Sequence, residues 1–159
     1  MSTFVQEIVE ILKNKHLTLS TCESVTGGMI GSHIVNVSGV SKVYLGGIIT
    51  YSNESKIKLA NVVPKTLDKF GAISKETALE MAVGVIGKFK SDVAISITGN
   101  AGPISDENKQ VGMAYVCICV IDKTYTYEIH SKETERNQIR IDFTFKALSL
   151  LLDLLKRVS

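Results

Sequence analysis

Residues 17–28 read Leu-Thr-Leu-Ser-Thr-Cys-Glu-Ser-Val-Thr-Gly-Gly, and residues 29–35 continue Met-Ile-Gly-Ser-His-Ile-Val. The alternating apolar run predicts a strand over 17–22. The paired glycines Gly27 and Gly28 predict a tight turn, and the apolar segment after them predicts a helix over about 27–36. Ser24 therefore falls at a strand-to-helix junction. Such a junction gathers free backbone N–H groups and the positive end of a helix dipole. A hydroxyl nucleophile placed there has oxyanion-stabilising donors close by.

Working outward, Ser2 or Thr3 is placed to cap a first helix that ends near Lys15, with Val5, Ile8, Val9 and Leu12 at helical spacing. Val43 to Tyr51 is apolar and β-rich, which predicts a buried strand. Ser52 or Asn53 caps a short helix to about Ala60. Pro64 suits the first turn of another, which Gly71 ends. Ser74 opens a longer helix with Ala78, Met81, Ala82, Val85, Ile86 and Phe89 on one face. Residues 92–98 read as a strand and 99–110 as a loop. Residues 112–121 and 124–131 read as a hairpin turning at Asp122-Lys123, and Thr134 caps a last helix with the core stripe Ile139, Phe143, Leu148, Leu151, Leu152 and Leu155. Helices and strands interleave until the hairpin. The pattern predicts an α/β fold, a three-layer α/β/α sandwich with a mixed, about five-stranded sheet ending in an antiparallel hairpin.

The 159 residues fit one domain spanning 1–159, and 45% hydrophobic content supports an aliphatic core without tryptophan. Eighteen basic and 16 acidic residues give a net charge of +2. The basic residues are scattered, which excludes a dedicated nucleic-acid binder. The longest apolar run, 111–121, is too short to span a bilayer, so no membrane partner is expected. Three cysteines (Cys22, Cys117, Cys119), without a disulfide framework or leader pattern, predict a reducing cytoplasm. No Cys/His spacing resembles a metal site. The apolar face of the last helix is compatible with self-association as a homo-oligomer and equally with a core stripe.

Ligands of such sheets favour the carboxyl ends of strands, and three segments lie there: 22–28, 50–56 and 98–103. Ser24 needs a base. His16 ends the first helix, His33 sits two turns into the second and His130 ends the hairpin, so no local pattern assembles a Ser-His-Asp triad. Lys56, about one turn into the helix after Tyr51-Ser52-Asn53-Glu54-Ser55, can face the same cleft. A lysine acts as general base when burial lowers its pKa. Tyr51 could relay a proton or hold that lysine. The plainer alternative leaves Lys56 solvated and Ser24 as a helix cap. Cys22 is a rival nucleophile two residues away, with a small buried side chain as its plainer role. Thr98 to Pro103 leaves room for a planar ligand or a phosphate. Arg136 and Arg140, one turn apart, could clamp a phosphate or carboxylate or simply be solvated.

These segments occur in an order that resembles a known family. Thr21-Cys22-Glu23-Ser24-Val25-Thr26-Gly27-Gly28, Thr50 to Lys56, Gly71-Ala72-Ile73-Ser74, Ser96 to Pro103, Val111-Gly112 and the Arg136/Arg140 helix together look like the C-terminal domain of the competence/damage-inducible protein CinA. The resemblance covers about residues 5 to 155. It implies a hydrolase, an amidase that converts nicotinamide mononucleotide to nicotinate mononucleotide and ammonia in pyridine nucleotide recycling, with a serine nucleophile and no metal or other cofactor. Carried over by motif, the catalytic residues fall on Ser24, Lys56 and Tyr51. The substrate-binding residues fall on Thr26, Gly27, Gly28, Thr98, Gly99, Ala101, Gly102, Arg136 and Arg140, around a small-molecule nucleotide. The alternative is a weak or inactive nucleotide- or partner-binding module of the same fold. The family usually has Cys at Val25, an apolar residue at Asn100, and a glycine-rich stretch followed by Lys-Pro-Val-Gly after Pro103. Here that loop is short and polar (104–110), with Gln110 in place of the proline, so the loop edge of the pocket is expected to differ. The pyrophosphatase activity tied to the N-terminal domain of two-domain members is not expected of this stretch.

Overall fold

A computed structural model describes residues 2–158. Five strands form one mixed sheet in the order β2-β1-β3-β4-β5. They are β1 (Leu19–Glu23), β2 (Tyr44–Ile49), β3 (Val93–Asn100), β4 (Met113–Val120) and β5 (Lys123–His130). β1 runs parallel to β2 and β3, while β4 and β5 close the sheet antiparallel. The helices are α1 (Ser2–Asn14), α2 (Met29–Val35), α3 (Asn53–Ala60), α4 (Pro64–Phe70), α5 (Lys75–Phe89) and α6 (Arg136–Arg157).

Alternation along the strands sorts the two faces. Val93, Ile95 and Ile97 of β3 join Val116 and Ile118 of β4 in one core with α1, α2 and α6. Ala94, Cys117 and Cys119 point the other way, into a core with α3, α4 and α5. That is the three-layer sandwich expected from the interleaved pattern. The second core is lined by small side chains, so α5 sits close to the sheet, and the Ser96 hydroxyl donates to Ala78 O at 2.5 Å. All six residues of the predicted α6 stripe are buried.

Three features differ from the sequence reading. β2 is an edge strand rather than a buried one, with Leu45 and Ile49 exposed at every second position. Its apolar run looks buried in sequence, but only β1 covers it. The hairpin turns on Ile121-Asp122, because Val120 pairs with Lys123. Ile121 takes φ 60, a conformation that few β-branched residues adopt, and its N–H bonds Asp92 O at 2.7 Å. Glu135 rather than Thr134 caps α6, its carboxylate accepting from the N–H groups of Asn137 and Gln138. The capping position before Ser2 lies outside the described residues. Ser52, Pro64, Gly71 and Ser74 stand at the helix ends where the pattern puts them.

One packing contact bears directly on the site. Gly84 of α5 lies under the end of α3, where an added Cβ would come within 1.8 Å of Ala60 O. That atom is backbone and cannot yield like a side chain, so α3 and α5 approach this closely only without a side chain at 84. Gly84→Ala is expected to cost about 1–3 kcal/mol by overpacking. Thermal denaturation should show Tm lower by roughly 2–4 °C per kcal/mol for a chain of this size. An unchanged Tm would show that α3 relaxes freely.

Candidate functional site

The carboxyl ends of β1, β2 and β3 lead into the three segments singled out above, and those segments enclose a cleft of about 630 Å³. Ser24 leaves β1 with its N–H on Ile97 O at 3.0 Å, which ties it to β3. Thr50 N bonds Glu23 O at 2.8 Å and ties the end of β2 to the same point. The chain then turns sharply, and Gly27 N reaches back to Ser24 O at 3.0 Å.

α3 starts where β2 ends. Ser52 caps it, its hydroxyl accepting from Ser55 N. Lys56 on the second turn points inward, is 1% exposed, and ranks among the largest fully buried side chains. Its Nζ donates to Ser24 Oγ at 3.1 Å, to Thr50 O at 2.7 Å and to Tyr51 O at 3.1 Å. Burial pulls its pKa down from 10.5 to about 8, against the opposing influence of Cys22 and Glu107. With a pKa of about 8, about one tenth of this lysine is neutral at pH 7 and, in that form, it can take the proton of the hydroxyl it touches.

Tyr51 holds Lys56 by its carbonyl, not its phenol. The phenol is 61% exposed as part of the residue and accepts from Arg136 at 3.2 Å. Cys22 does not line the cleft. Burial pushes its thiol up to about 11, with a 3.4 Å contact to Thr50 Oγ1 acting against the rise. A thiol so protonated is a poor nucleophile. No histidine lines the cleft. His33 bonds Met29 O and packs edge-on against Phe145, His130 pairs with Glu128, and His16 ends α1 at φ 56.

Of the residues expected to bind substrate, Thr98, Gly99, Ala101, Gly102 and Arg136 line the cleft. Thr98 donates its hydroxyl to Ala72 O at 2.8 Å. Arg136 donates to Gly102 O and Tyr51 Oη, so its guanidinium is anchored at the rim. Thr26, Gly27, Gly28 and Arg140 do not line it. Thr26 is buried, and its hydroxyl donates to Glu23 Oε1 at 2.5 Å. Gly28 takes φ 107 ahead of α2 and faces Ile49 on the β2 side. Arg140 is spent on main-chain carbonyls, with Nε on Val25 O and Nη2 on Thr26 O.

The start of α2 is also not free. Glu23, 2% exposed, accepts from Gly28 N, Ile30 N and Gly31 N at 3.2, 2.9 and 3.0 Å. The helix end that pattern alone aims at a ligand is capped from within. Among the described residues, no acceptor meets the N–H groups of Val25 and Thr26.

Sequence reasoning did not single out Glu107 and Asn100 as wall residues. Glu107 accepts from Ala72 N and Ile73 N, both at 2.9 Å, and so fastens the polar loop to the segment before α5. Glu107 and Asn108 both have positive φ (53 and 59) between the bridged pair Asp106 and Lys109. That is the geometry of a two-residue type I′ turn. Asn100 braces the same loop, with Nδ2 on Lys109 O and Oδ1 accepting from Gly102 N. The only hint in sequence was that Asn100 and the 104–110 loop depart from the family pattern together.

The fold and site together define a three-layer α/β protein that sets a serine hydroxyl against a buried lysine amine at its strand ends. The chain belongs to the family described as the CinA C-terminal domain, which matches residues 1–155. It is 46% identical over 149 residues to a CinA-like protein of Kosmotoga olearia, covering 89% of this chain and 36% of that protein. It is 38% identical over 156 residues to Protein MG115 homolog of Mycoplasma pneumoniae, covering 98% and 99%. It thus spans about a third of the first relative and nearly all of the second. Among solved structures, the competence/damage inducible protein CihA of Agrobacterium tumefaciens superposes with TM-score 0.91 at 30% identity, covering 98% of this chain and 95% of that one. The competence damage-inducible protein A of Klebsiella pneumoniae reaches TM-score 0.96 at 24% identity over 99% and 98%, a likeness of fold. No helix among the described residues is long and apolar enough to cross a membrane.

The Ser24–Lys56 contact has a measurable signature. A fluorophosphonate should label Ser24, with a rate following neutral Lys56. With a pKa of about 8, the neutral fraction rises from about one tenth at pH 7 to about nine tenths at pH 9, so labelling should quicken about ten-fold. Lys56→Met should label slowly at every pH. A flat wild-type profile would mean that Lys56 does not deprotonate Ser24.

Proposed function

We propose that the chain is a nicotinamide-nucleotide amidase that hydrolyses the carboxamide of nicotinamide mononucleotide. The observation that carries the catalytic part is the 3.1 Å contact between Lys56 Nζ and Ser24 Oγ, with Lys56 buried and shifted to about 8. The substrate rests on the family and on the ordered motifs at 21–28, 50–56 and 96–103.

Neutral Lys56 takes the Ser24 proton while Oγ bonds to the carboxamide carbon. The carbonyl oxygen becomes an oxyanion, and nearby backbone N–H groups receive it. The C–N bond then breaks as the Lys56 ammonium gives its proton to the leaving nitrogen, which departs as ammonia. Lys56, neutral again, takes a proton from water, and the hydroxide attacks the acyl-enzyme. Collapse returns the proton to Ser24 and frees the carboxylic acid. The carbonyls of Thr50 and Tyr51 keep the lysine amine oriented through both half-reactions. Arg136 at the rim is the cation available to the substrate phosphate.

One observation favours a second reading, a module that binds without turnover. Asp106 and Glu107 put two carboxylates in the cleft wall, which weakens its hold on a phosphate. Turnover separates the two readings. Wild type incubated with nicotinamide mononucleotide should release ammonia and nicotinate mononucleotide in equal amounts. Ser24→Ala should lower kcat by about a thousand-fold or more. Arg136→Gln should raise KM about ten-fold, the loss expected for one charge-assisted contact. Binding without ammonia between pH 7 and 9 would leave the second reading standing.

A further inference from the structure

Residues 24–27 form a single turn gripped from two sides. On one side Glu23 holds Thr26 by its hydroxyl and Gly28, Ile30 and Gly31 by their N–H groups. On the other, Arg140 of α6 crosses 115 positions of sequence to donate Nε to Val25 O at 2.9 Å and Nη2 to Thr26 O at 3.1 Å. Asn137 Oδ1, one turn earlier on α6, accepts Nη1 of the same guanidinium at 3.1 Å. All three guanidinium nitrogens thus have partners within the protein. Gly27 leaves room for this approach, since an added Cβ there would come within 3.1 Å of Arg140 Nη2.

We propose that Arg140 is a positioning residue that, opposite Glu23, presets the main chain after Ser24 so that the N–H group of Val25, which lines the cleft, serves as an oxyanion donor. The peptide plane supplies the link. In a trans peptide, C=O and the following N–H point in opposite directions. Arg140 Nη2 on Thr26 O therefore fixes the direction of Gly27 N–H, while Nε holds Val25 O beside it. The Ser24 carbonyl, engaged by Gly27 N, fixes Val25 N–H in the same way. Among the described residues Val25 N–H has no internal acceptor, and Val25 lines the cleft. The donors further along, at Gly28, Ile30 and Gly31, are occupied by Glu23. Arg140 thereby leaves the set of residues available to a substrate anion, and Arg136 alone of the pair faces the cleft.

The inference rests on Ser24 being the nucleophile of the proposed amidase, and the test separates the two. Fluorophosphonate labelling reads Ser24 reactivity whatever the natural substrate, while ammonia release reads the amidase. Arg140→Ala should lower kcat and the labelling rate about a hundred-fold, the loss seen when an oxyanion donor is removed, and leave KM within about three-fold. Ethylguanidinium, added well below denaturing concentrations, should restore part of both rates. Should Arg140→Ala not fold, Arg140→Lys gives the same reading. It keeps the charge but loses the two-pronged fork, so kcat should fall about ten-fold at unchanged KM. A rise in KM at unchanged kcat would make Arg140 a substrate ligand and overturn the proposal. So would wild-type labelling rates in both variants. Wild-type labelling without ammonia release would defeat the amidase reading and leave the positioning role testable by labelling alone.

Discussion

A buried amine in contact with a hydroxyl is the constraint around which this fold is arranged. Lys56 gives up its water and is held by two carbonyls and the oxygen of Ser24. An ammonium so placed is costly unless each N–H has an acceptor. Two segments supply those acceptors: the turn after β1, through Ser24, and the connection from β2 to α3, through Thr50 and Tyr51. The parallel pairing of β1 with β2 brings them to one level. α5 seals the far side of α3 by close backbone contact at Gly84.

The same economy governs the turn that carries the serine. An anion-binding helix start is available after Gly28, yet Glu23 of the same chain fills it. The helix dipole then stabilises a fixed internal carboxylate, whose hydrogen bonds tie the turn to the start of α2. Arg140 brings the opposite charge to the other side and engages carbonyls where Glu23 engages N–H groups. The turn around Ser24 is thus hydrogen-bonded from both sides by side chains that do not line the cleft. The cleft itself keeps one solvent-facing guanidinium and two carboxylates. The carboxylates lie on the loop that departs from the family pattern, braced by Asn100, which departs with it.

Much of this was legible in one dimension. Periodicity in residues 75–89 and 136–157 marks amphipathic helices, and Ser52, Pro64, Gly71 and Ser74 end elements through their own backbone preferences, so these features needed no knowledge of neighbours. β2 shows the opposite case. Its composition suits a central strand, and only sheet order makes it an edge. The hairpin turn slipped by one residue because Ile121 adopts a positive φ, held by a bond to Asp92 that no local pattern announces. Thr134 is the better cap by local preference, yet α6 starts one residue later, with Glu135 in the capping position.

At the site, sequence by itself determined which groups could do chemistry: a serine after a strand, a lysine one turn into the next helix, small residues at a third strand end, and two arginines one turn apart. Tertiary structure decided what each group does, because burial and distance are properties of the fold. It lowered the pKa of Lys56 by removing water and raised that of Cys22 by the same means. It turned Arg136 toward the cleft and Arg140 onto the main chain, although their spacing treats them as a pair. It also closed the α2 helix start with Glu23, whose neighbours in sequence gave no sign that its carboxylate would fold back over them.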